Sequence, residues 1–238
     1  MLLLLACAEP SPFDTSPMVD SGETADSGAP FEPAEGCPAA EAGRQGITTT
    51  EASPYFVMHP LEDTHDNPVV IMLPGGAGND QSAQGTWAAF FDDDPRGYRI
   101  VMPWVLTGDY PDVAPPVEAV LDEVAACFGP PSKVHLIGHS NGGYLAYNVV
   151  GPELADRFVS ISGAPAYFQQ LKKAKLEGLP FHNMAGEEDS WAEYMEEAHQ
   201  QLLDDGFESE LDLWTGQGHT PDQDWDGREN MFDFWDRH

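Results

Sequence analysis

The stretch VHLIGHSNGGYLAYNVV, Val134 to Val150, holds a strand, a turn and a helix within seventeen residues. It begins with an aliphatic run that favours a β-strand. Glycines then surround one serine, Ser140, and apolar or aromatic residues follow at a spacing that a helix can use. The sequence therefore predicts that Ser140 lies at the tip of a turn where a strand reverses into a helix.

Two glycines flank this serine at positions that a strained turn requires. Gly138 and Gly142 have no side chains to clash when the backbone reverses and a helix packs close by. The hydroxyl group of Ser140 would then lie beside the helix N-terminus, whose free N–H groups and dipole stabilise negative charge. The pattern G-x-S-x-G between a strand and a helix is typical of a nucleophile elbow. We therefore interpret Ser140 as a nucleophile rather than as part of a structural turn.

Strand-like and helix-like segments alternate from about residue 48 to the C-terminus. The strand candidate PVVIML is continuously apolar, as expected when helices cover both faces of a parallel sheet. We expect an α/β fold with a mostly parallel central sheet and helices on both faces, in which function lies at the carboxyl ends of strands. The predicted helices are SAQGTWAAFF, VEAVLDEVAACF, GYLAYNVV, YFQQLKKAKLEG, WAEYMEEAHQQLLDDG and RENMFDFWDRH.

A serine hydroxyl group is a poor nucleophile unless a base takes its proton and a third group orients that base. Two later strand ends supply candidates: GEEDSW contains Asp189, and GHTPD contains His219. The order of Ser140, Asp189 and His219 is serine, acid, histidine. Glu187 and Glu188 are the alternative acids, and Asp189 could instead cap the following helix. His139 adjoins the nucleophile, and we expect it to be packed or structural.

The glycine-rich segment LPGGAGN, residues 73–79, follows the apolar strand VVIM. Acyl transfer develops negative charge on a carbonyl oxygen, and backbone N–H groups of a tight loop can stabilise that charge. We expect the backbone N–H groups of Gly76 and Asn141 to form this oxyanion hole. A phosphate-binding interpretation is weaker, because the segment lacks the lysine of a P-loop and the full spacing of a dinucleotide fingerprint.

Four motifs, LPGGAGN, GHSNGG, GEED and GHTP, together resemble those of α/β-hydrolase serine esterases, in the group that includes extracellular polyhydroxybutyrate depolymerases and feruloyl esterases. The resemblance covers about residues 48–238 and extends to the aromatic ending FDFWDRH. It implies the α/β-hydrolase fold and cleavage of carboxylic esters through an acyl-enzyme, without a metal or organic cofactor. Pro74 departs from the pattern, since many hydrolases carry histidine there.

The substrate expected from this resemblance is a small-molecule or polymer-derived ester. The chain between SISGAP and PFHNM is too short for a large lid, which favours an accessible ester over a crystalline polymer. A peptidase or a thioesterase would use the same three side chains, and a non-catalytic surface-binding protein is a further alternative. Nucleic acid is not an expected partner, because 41 acidic against 10 basic residues give a formal charge of −31.

The N-terminal segment MLLLLACAEP is too short for a membrane span, which needs about 20 apolar residues. It resembles the lipobox of bacterial lipoprotein signals, which implies a lipid on Cys7 and either membrane anchoring at the cell envelope or secretion. Because a basic start is lacking, we interpret residues 1–7 as a truncated signal. Residues 8–45, rich in Pro, Ser, Gly and acids, predict a flexible tether, and residues 46–238 the hydrolase domain.

Two further cysteines, Cys37 and Cys127, are candidates for a disulfide in an oxidising compartment. The alternative is a pair of free thiols, with Cys127 buried. Near the C-terminus, Asp222, Asp224 and Asp226 partly fit a calcium-binding loop, but the closing glutamate is absent. We interpret this run as a solvated entry to the last helix and predict no metal site.

Overall fold

One sheet of eight strands runs through the described part of the chain. The computed structural model describes residues 31–40, 43–47, 54–62, 64–76, 91, 96–104, 112–164, 172–220 and 227–238. The strands are β1 (Gly43–Ile47), β2 (Tyr55–His59), β3 (Val69–Leu73), β4 (Arg99–Pro103), β5 (Val134–His139), β6 (Ser160–Ala164), β7 (Phe181–Gly186) and β8 (Ser209–Trp214). Three predicted features lie outside the described residues: Cys7, most of the predicted helix SAQGTWAAFF, and the run that contains Asp222, Asp224 and Asp226.

The strands are ordered β1-β2-β4-β3-β5-β6-β7-β8 across the sheet. The pairs β1–β2 and β2–β4 are antiparallel, and every other neighbouring pair is parallel. Parallel strands bring their carboxyl ends to one edge, and that edge collects the ends of β3, β5, β6, β7 and β8. The mostly parallel α/β sheet expected from the sequence is therefore confirmed.

The described residues form the helices α1 (Ala114–Phe128), α2 (Asn141–Leu145), α3 (Ala192–Asp204) and α4 (Arg228–Arg237). Helix α2 continues into a π-helical turn, Ala146–Val150, and ends with Gly151–Glu153. None of the described helices has the length and apolar composition that crossing a bilayer requires.

The predicted helix YFQQLKKAKLEG is not found in the part of it that the structure describes. Between residues 172 and 178 the chain forms only a short 3₁₀ turn, Lys173–Lys175. Gly178 then adopts a φ of 85°, which is incompatible with a continuing right-handed helix and turns the chain toward β7.

Alternate side chains of the central strands enter two cores on opposite faces of the sheet. Val69, Ile71 and Leu73 of β3 belong to the core that includes side chains of α1, α2 and α3. Val70 and Met72 belong to the core on the other face, which includes side chains of α4. All five side chains are fully buried. Coverage on both faces explains why this strand is continuously apolar.

The compact unit begins at Phe31, earlier than the boundary at residue 46 expected from the sequence. A disulfide joins Cys37 to Cys127 at the end of α1, with the two Cα atoms 5.2 Å apart. The N–H group of Ala34 donates to the carbonyl oxygen of Ala126 at 3.1 Å. The described residues between 31 and 47 thus belong to the domain. The predicted tether, residues 8–45, therefore extends too far toward the C-terminus. The disulfide and backbone hydrogen bonds attach this polar segment to the domain.

Candidate active site

Ser140 lies between β5 and α2 in a strained backbone conformation. Its φ is 55° and its ψ is −119°. A positive φ is uncommon outside glycine, and among the described non-glycine residues only Arg96 shares it. Such strain persists where the surrounding structure enforces it, and it is frequent at functional turns. The N–H group of Ser140 donates to the carbonyl oxygen of Ala164 at 2.8 Å, which fastens the turn to the end of β6.

Both glycines of the turn are required by close backbone packing. A Cβ atom on Gly138 would lie 2.2 Å from the carbonyl oxygen of Gly142. A Cβ atom on Gly142 would lie 1.9 Å from the carbonyl oxygen of Leu73. The start of α2 therefore packs directly on the ends of β5 and β3, and any side chain at these two positions would displace Ser140.

Asp189 and His219 meet at the same edge of the sheet. The Nδ1–H group of His219 donates to Oδ2 of Asp189 at 2.8 Å. The other carboxylate oxygen, Oδ1, accepts the backbone N–H group of Trp191 at 3.0 Å. The Asp189 side chain is only 2% exposed, whereas that of His219 is 42% exposed. A buried, doubly hydrogen-bonded carboxylate thus orients an accessible imidazole ring and directs its proton to Nδ1.

The loops after β7 and β8 pack tightly enough to hold this pair together. A Cβ atom on Gly186 would lie 2.2 Å from the carbonyl oxygen of Gln217. The N–H group of Glu188 donates to the same carbonyl oxygen at 2.9 Å. Glu187 and Glu188 are exposed, and the acid in GEED that contacts His219 is Asp189.

His139, at the end of β5, lies close to the segments that follow β3 and β8. Its Nε2 atom lies 2.8 Å from the backbone oxygen of His219, and the two imidazole ring centres are 5.0 Å apart. A Cβ atom on Gly75 would lie 2.8 Å from Nδ1 of His139 and 3.0 Å from Cβ of Ser140. The sequence alone indicates a packed residue here. Its contact with His219 depends on a loop eighty residues further along the chain, so no local signal could have predicted it.

The two predicted oxyanion-hole residues are neighbours in space. Gly76 adopts a φ of 63°, and its carbonyl oxygen accepts a hydrogen bond from the Asn141 side-chain amide at 3.3 Å. The glycine loop after β3 therefore lies against the residue that follows Ser140. Gly75 makes the close approach to Ser140, because a side chain there would overlap both His139 and the serine.

A group of potential metal ligands lies away from this edge. Within the described residues, one ligand atom each from Glu208, Glu210 and His238 lies within 4.8 Å of the others. They surround the start of β8, at the end of the strand opposite to the Ser140 edge. Glu210 is already paired with the Arg237 guanidinium group at 2.5 and 2.7 Å. This group is a surface ion-pair cluster.

Comparison with known proteins gives matches at the level of structure. No protein-family model and no curated protein sequence matches the chain. Esterase B from Lactobacillus rhamnosis, solved with a tributyrin phosphonate, is 16% identical, with a TM-score of 0.61 over 83% of this chain and 87% of that one. Esterase PE8 is 20% identical, with a TM-score of 0.55 over 82% of this chain and 99% of the other.

A third solved structure, S-formylglutathione hydrolase from Staphylococcus aureus, is 14% identical to this chain. The TM-score is 0.57, and the match covers 81% of this chain and 96% of that one. Identities this low establish common architecture and nothing finer. With the strand order and the turn at Ser140, they show that the chain has the α/β-hydrolase fold.

Proposed function

We propose that this protein is a serine hydrolase that cleaves carboxylic esters through Ser140, His219 and Asp189. The observation that carries the proposal is the hydrogen bond from His219 to buried Asp189, formed at the sheet edge that holds the strained turn of Ser140. Two proteins that share the fold are named esterases, and one was solved with a phosphonate, which supports an ester substrate. The motifs favour the depolymerase and feruloyl esterase group within this fold.

In the first half-reaction, Nε2 of His219 takes the proton from Oγ of Ser140 as that oxygen attacks the acyl carbonyl carbon. The Nδ1–H bond to Asp189 selects the tautomer in which Nε2 is an acceptor, and the carboxylate stabilises the imidazolium that forms. The carbon–oxygen bond to the alcohol then breaks, and the alcohol leaves with the proton from His219. The acyl group remains on Ser140.

Water completes the reaction by the reverse sequence of proton transfers. His219 takes a proton from water as the water oxygen adds to the acyl carbon, and the bond to Ser140 breaks as Oγ recovers a proton. The products are a carboxylic acid and an alcohol. The three side chains and one water molecule thus account for every atom and proton in the cycle.

Both half-reactions pass through a tetrahedral intermediate with a negatively charged oxygen. We assign its stabilisation to the backbone N–H groups of Asn141 and Gly76. The contact between these residues at 3.3 Å supports the assignment, because it holds the glycine loop beside the nucleophile. Losing one such donor lowers kcat by about 10²- to 10³-fold in serine hydrolases.

The first test is covalent labelling of the purified protein with a fluorophosphonate probe. We expect one adduct per chain, and peptide mapping should place it on Ser140. Absence of labelling in the folded protein would overturn the assignment as a serine hydrolase and favour a non-catalytic surface-binding role.

The second test compares turnover of p-nitrophenyl esters, acyl thioesters and peptides under the same conditions. We expect esters to have the largest kcat/KM. The similarity to a protein named S-formylglutathione hydrolase makes the thioester comparison informative. A larger kcat/KM for thioesters or peptides would contradict the ester substrate class. It would leave the proposed roles of the three side chains unchanged.

We further propose that Cys7 carries a lipid that anchors the chain to the cell envelope, on the basis of the LLAC sequence at residues 4–7. Metabolic labelling with palmitate should mark the wild-type protein and not the Cys7→Ser variant. Equal labelling of both proteins, or an unlabelled protein in the medium, would contradict lipidation at Cys7.

A further inference from the structure

His139 is the last residue of β5 and directly precedes Ser140, yet its side chain reaches the loop after β8. The residue is only 5% exposed. Its backbone pairs with Ala164 of β6, so the origin of the side chain is fixed by the centre of the sheet. Its Nε2 atom lies 2.8 Å from the backbone oxygen of His219.

The proton of this imidazole can be located from its partner. A carbonyl oxygen only accepts hydrogen bonds, so Nε2 of His139 must be the donor. Burial lowers the pKa of His139 to about 4, which leaves the ring neutral at pH 7 with a single N–H group. That proton is on Nε2, and the unprotonated Nδ1 lies on the side of Gly75. The hydrogen bond to His219 is therefore present throughout the neutral pH range.

The loop after β8 is held at two points with different consequences. The carbonyl oxygen of Gln217 accepts the N–H group of Glu188, which holds the loop against β7 and hence against Asp189. The carbonyl oxygen of His219 accepts the Nε2–H group of His139, which holds the loop against the turn of Ser140. The first contact relates His219 to its acid, and the second relates His219 to the nucleophile.

We propose that His139 is a positioning residue that sets the distance between the imidazole of His219 and the hydroxyl group of Ser140. The proposal rests on the serine hydrolase function proposed above. Without the Nε2–H donor, the backbone at His219 loses its attachment to β5 while the Asp189 contact stays. A displacement of about 1 Å at a reacting group lowers the rate about 10²-fold. The loss should fall on kcat, because His139 is 5% exposed and so offers little surface for substrate binding.

The test uses His139→Phe, which keeps a ring of similar shape without a donor, and His139→Gln, which keeps an N–H donor on a flexible chain. The pseudo-first-order rate constant of fluorophosphonate labelling is measured for each, since irreversibly unfolded protein lowers the extent of labelling and leaves this rate constant unchanged. Values of kcat and KM are measured with a p-nitrophenyl ester. We expect His139→Phe to lower the labelling rate and kcat by about 10- to 100-fold with KM nearly unchanged, and His139→Gln to recover part of the loss.

The matched control is His182→Phe. His182 is also buried, also has a pKa lowered by burial, and packs against the ring of Phe234 rather than at the active-site edge. We expect this variant to lose stability and keep the wild-type labelling rate. Equal labelling rates in wild type and His139→Phe would overturn the positioning role, as would equal losses in His139→Phe and His139→Gln, or in His139→Phe and His182→Phe. An unlabelled wild type would instead overturn the proposed hydrolase function.

Discussion

A serine and a histidine occur both in the interior of this sheet and at its carboxyl edge, in surroundings with opposite properties. In the interior, Nδ1 of His135 lies 2.7 Å from Oγ of Ser160, and both residues are fully buried. At the carboxyl edge, Ser140 is half-buried and the His219 side chain is 42% exposed. Both regions contain the residue types of a nucleophile and a base. Only the second can be reached by a substrate.

The interior pair also differs in electrostatics and backbone conformation. Burial lowers the pKa of His135 to about 3, and its ring packs against those of Tyr98 and Trp235, with ring centres 5.8 and 5.9 Å away. Ser160 belongs to the regular strand β6, whereas Ser140 occupies a turn with a φ of 55°. Residue type therefore does not identify the nucleophile in this fold. Position at a strand end, backbone strain and access favour Ser140 as the nucleophile that we propose.

The largest expected effect separates the two serines. Ser140→Ala should lower kcat/KM for p-nitrophenyl esters by about 10⁴- to 10⁶-fold, because the attacking oxygen is removed. Ser160→Ala should leave kcat/KM within about threefold and lower the free energy of unfolding by about 1–2 kcal/mol, because His135 loses its hydrogen-bond partner. Esterase assays give kcat/KM, and denaturant unfolding gives the free energy of unfolding, for both variants. Comparable losses of kcat/KM in the two would contradict the assignment of the nucleophile to Ser140 rather than Ser160.

The next effect concerns the acid that orients His219. Asp189→Asn should lower kcat by about 10⁴-fold, because the amide favours the wrong imidazole tautomer and cannot stabilise the imidazolium. Glu187→Gln and Glu188→Gln are the matched controls, since both side chains are exposed, and each should retain near wild-type kcat. A large loss of kcat in either glutamate variant, with kcat of Asp189→Asn unaffected, would assign the orienting acid to that glutamate instead.

A smaller effect tests how tightly the active-site turn is packed. Gly142→Ala should destabilise the protein by about 3 kcal/mol or more, because its Cβ atom would lie 1.9 Å from the carbonyl oxygen of Leu73. Gly216→Ala meets no atom within 4 Å but has a φ of 72°, so it should cost about 1 kcal/mol. Midpoints of guanidinium unfolding give both values. Equal costs would mean that backbone conformation, not packing, dominates at Gly142.

The smallest expected effect is a pH dependence that belongs to the interior pair. The pKa of His135 lies below its ordinary value of 6.5, so the folded state binds its proton more weakly than the unfolded state does. Its contribution to stability is therefore complete above pH 6.5 and decreases as the pH falls toward 3, by at most about 1.4 kcal/mol per pH unit.

Unfolding of wild type and His135→Gln at pH 6.5 and pH 4.5 isolates this contribution, because the carboxylates titrate in both proteins. Wild type should lose more stability than His135→Gln between the two pH values. Equal losses would show that His135 does not titrate differently in the folded and unfolded states.

Much of the fold follows from local patterns in the sequence. Strands such as β3 are buried on both faces, and their continuous apolar runs predict them well. Strand β1 was missed because GRQGI has two glycines and two polar side chains, and backbone pairing to β2 holds it at the sheet edge. The π-helical turn was also missed. There the N–H group of Gly151 bonds five residues back to Ala146, and Pro152 follows without a donor of its own.

In the candidate site, too, local sequence patterns predict some features, and contacts between distant segments determine the others. Ser140, Asp189 and His219 each follow a strand, so local motifs indicate them separately. The structure adds the contact between Asp189 and His219 and the choice of Asp189 over its glutamate neighbours. The link from His139 to His219 spans eighty residues and depends on how two loops meet, which no local pattern encodes.

The disulfide between Cys37 and Cys127 determines where mechanical load enters the domain. A force pulling on the chain before Phe31 reaches Cys37 ahead of the edge strand β1, and the covalent bond passes it to the end of α1. An edge strand can be peeled away one hydrogen bond at a time, whereas pulling on α1 must disrupt a buried apolar face at once. The cross-link therefore shields β1 from unzipping when the protein is held by its N-terminal side.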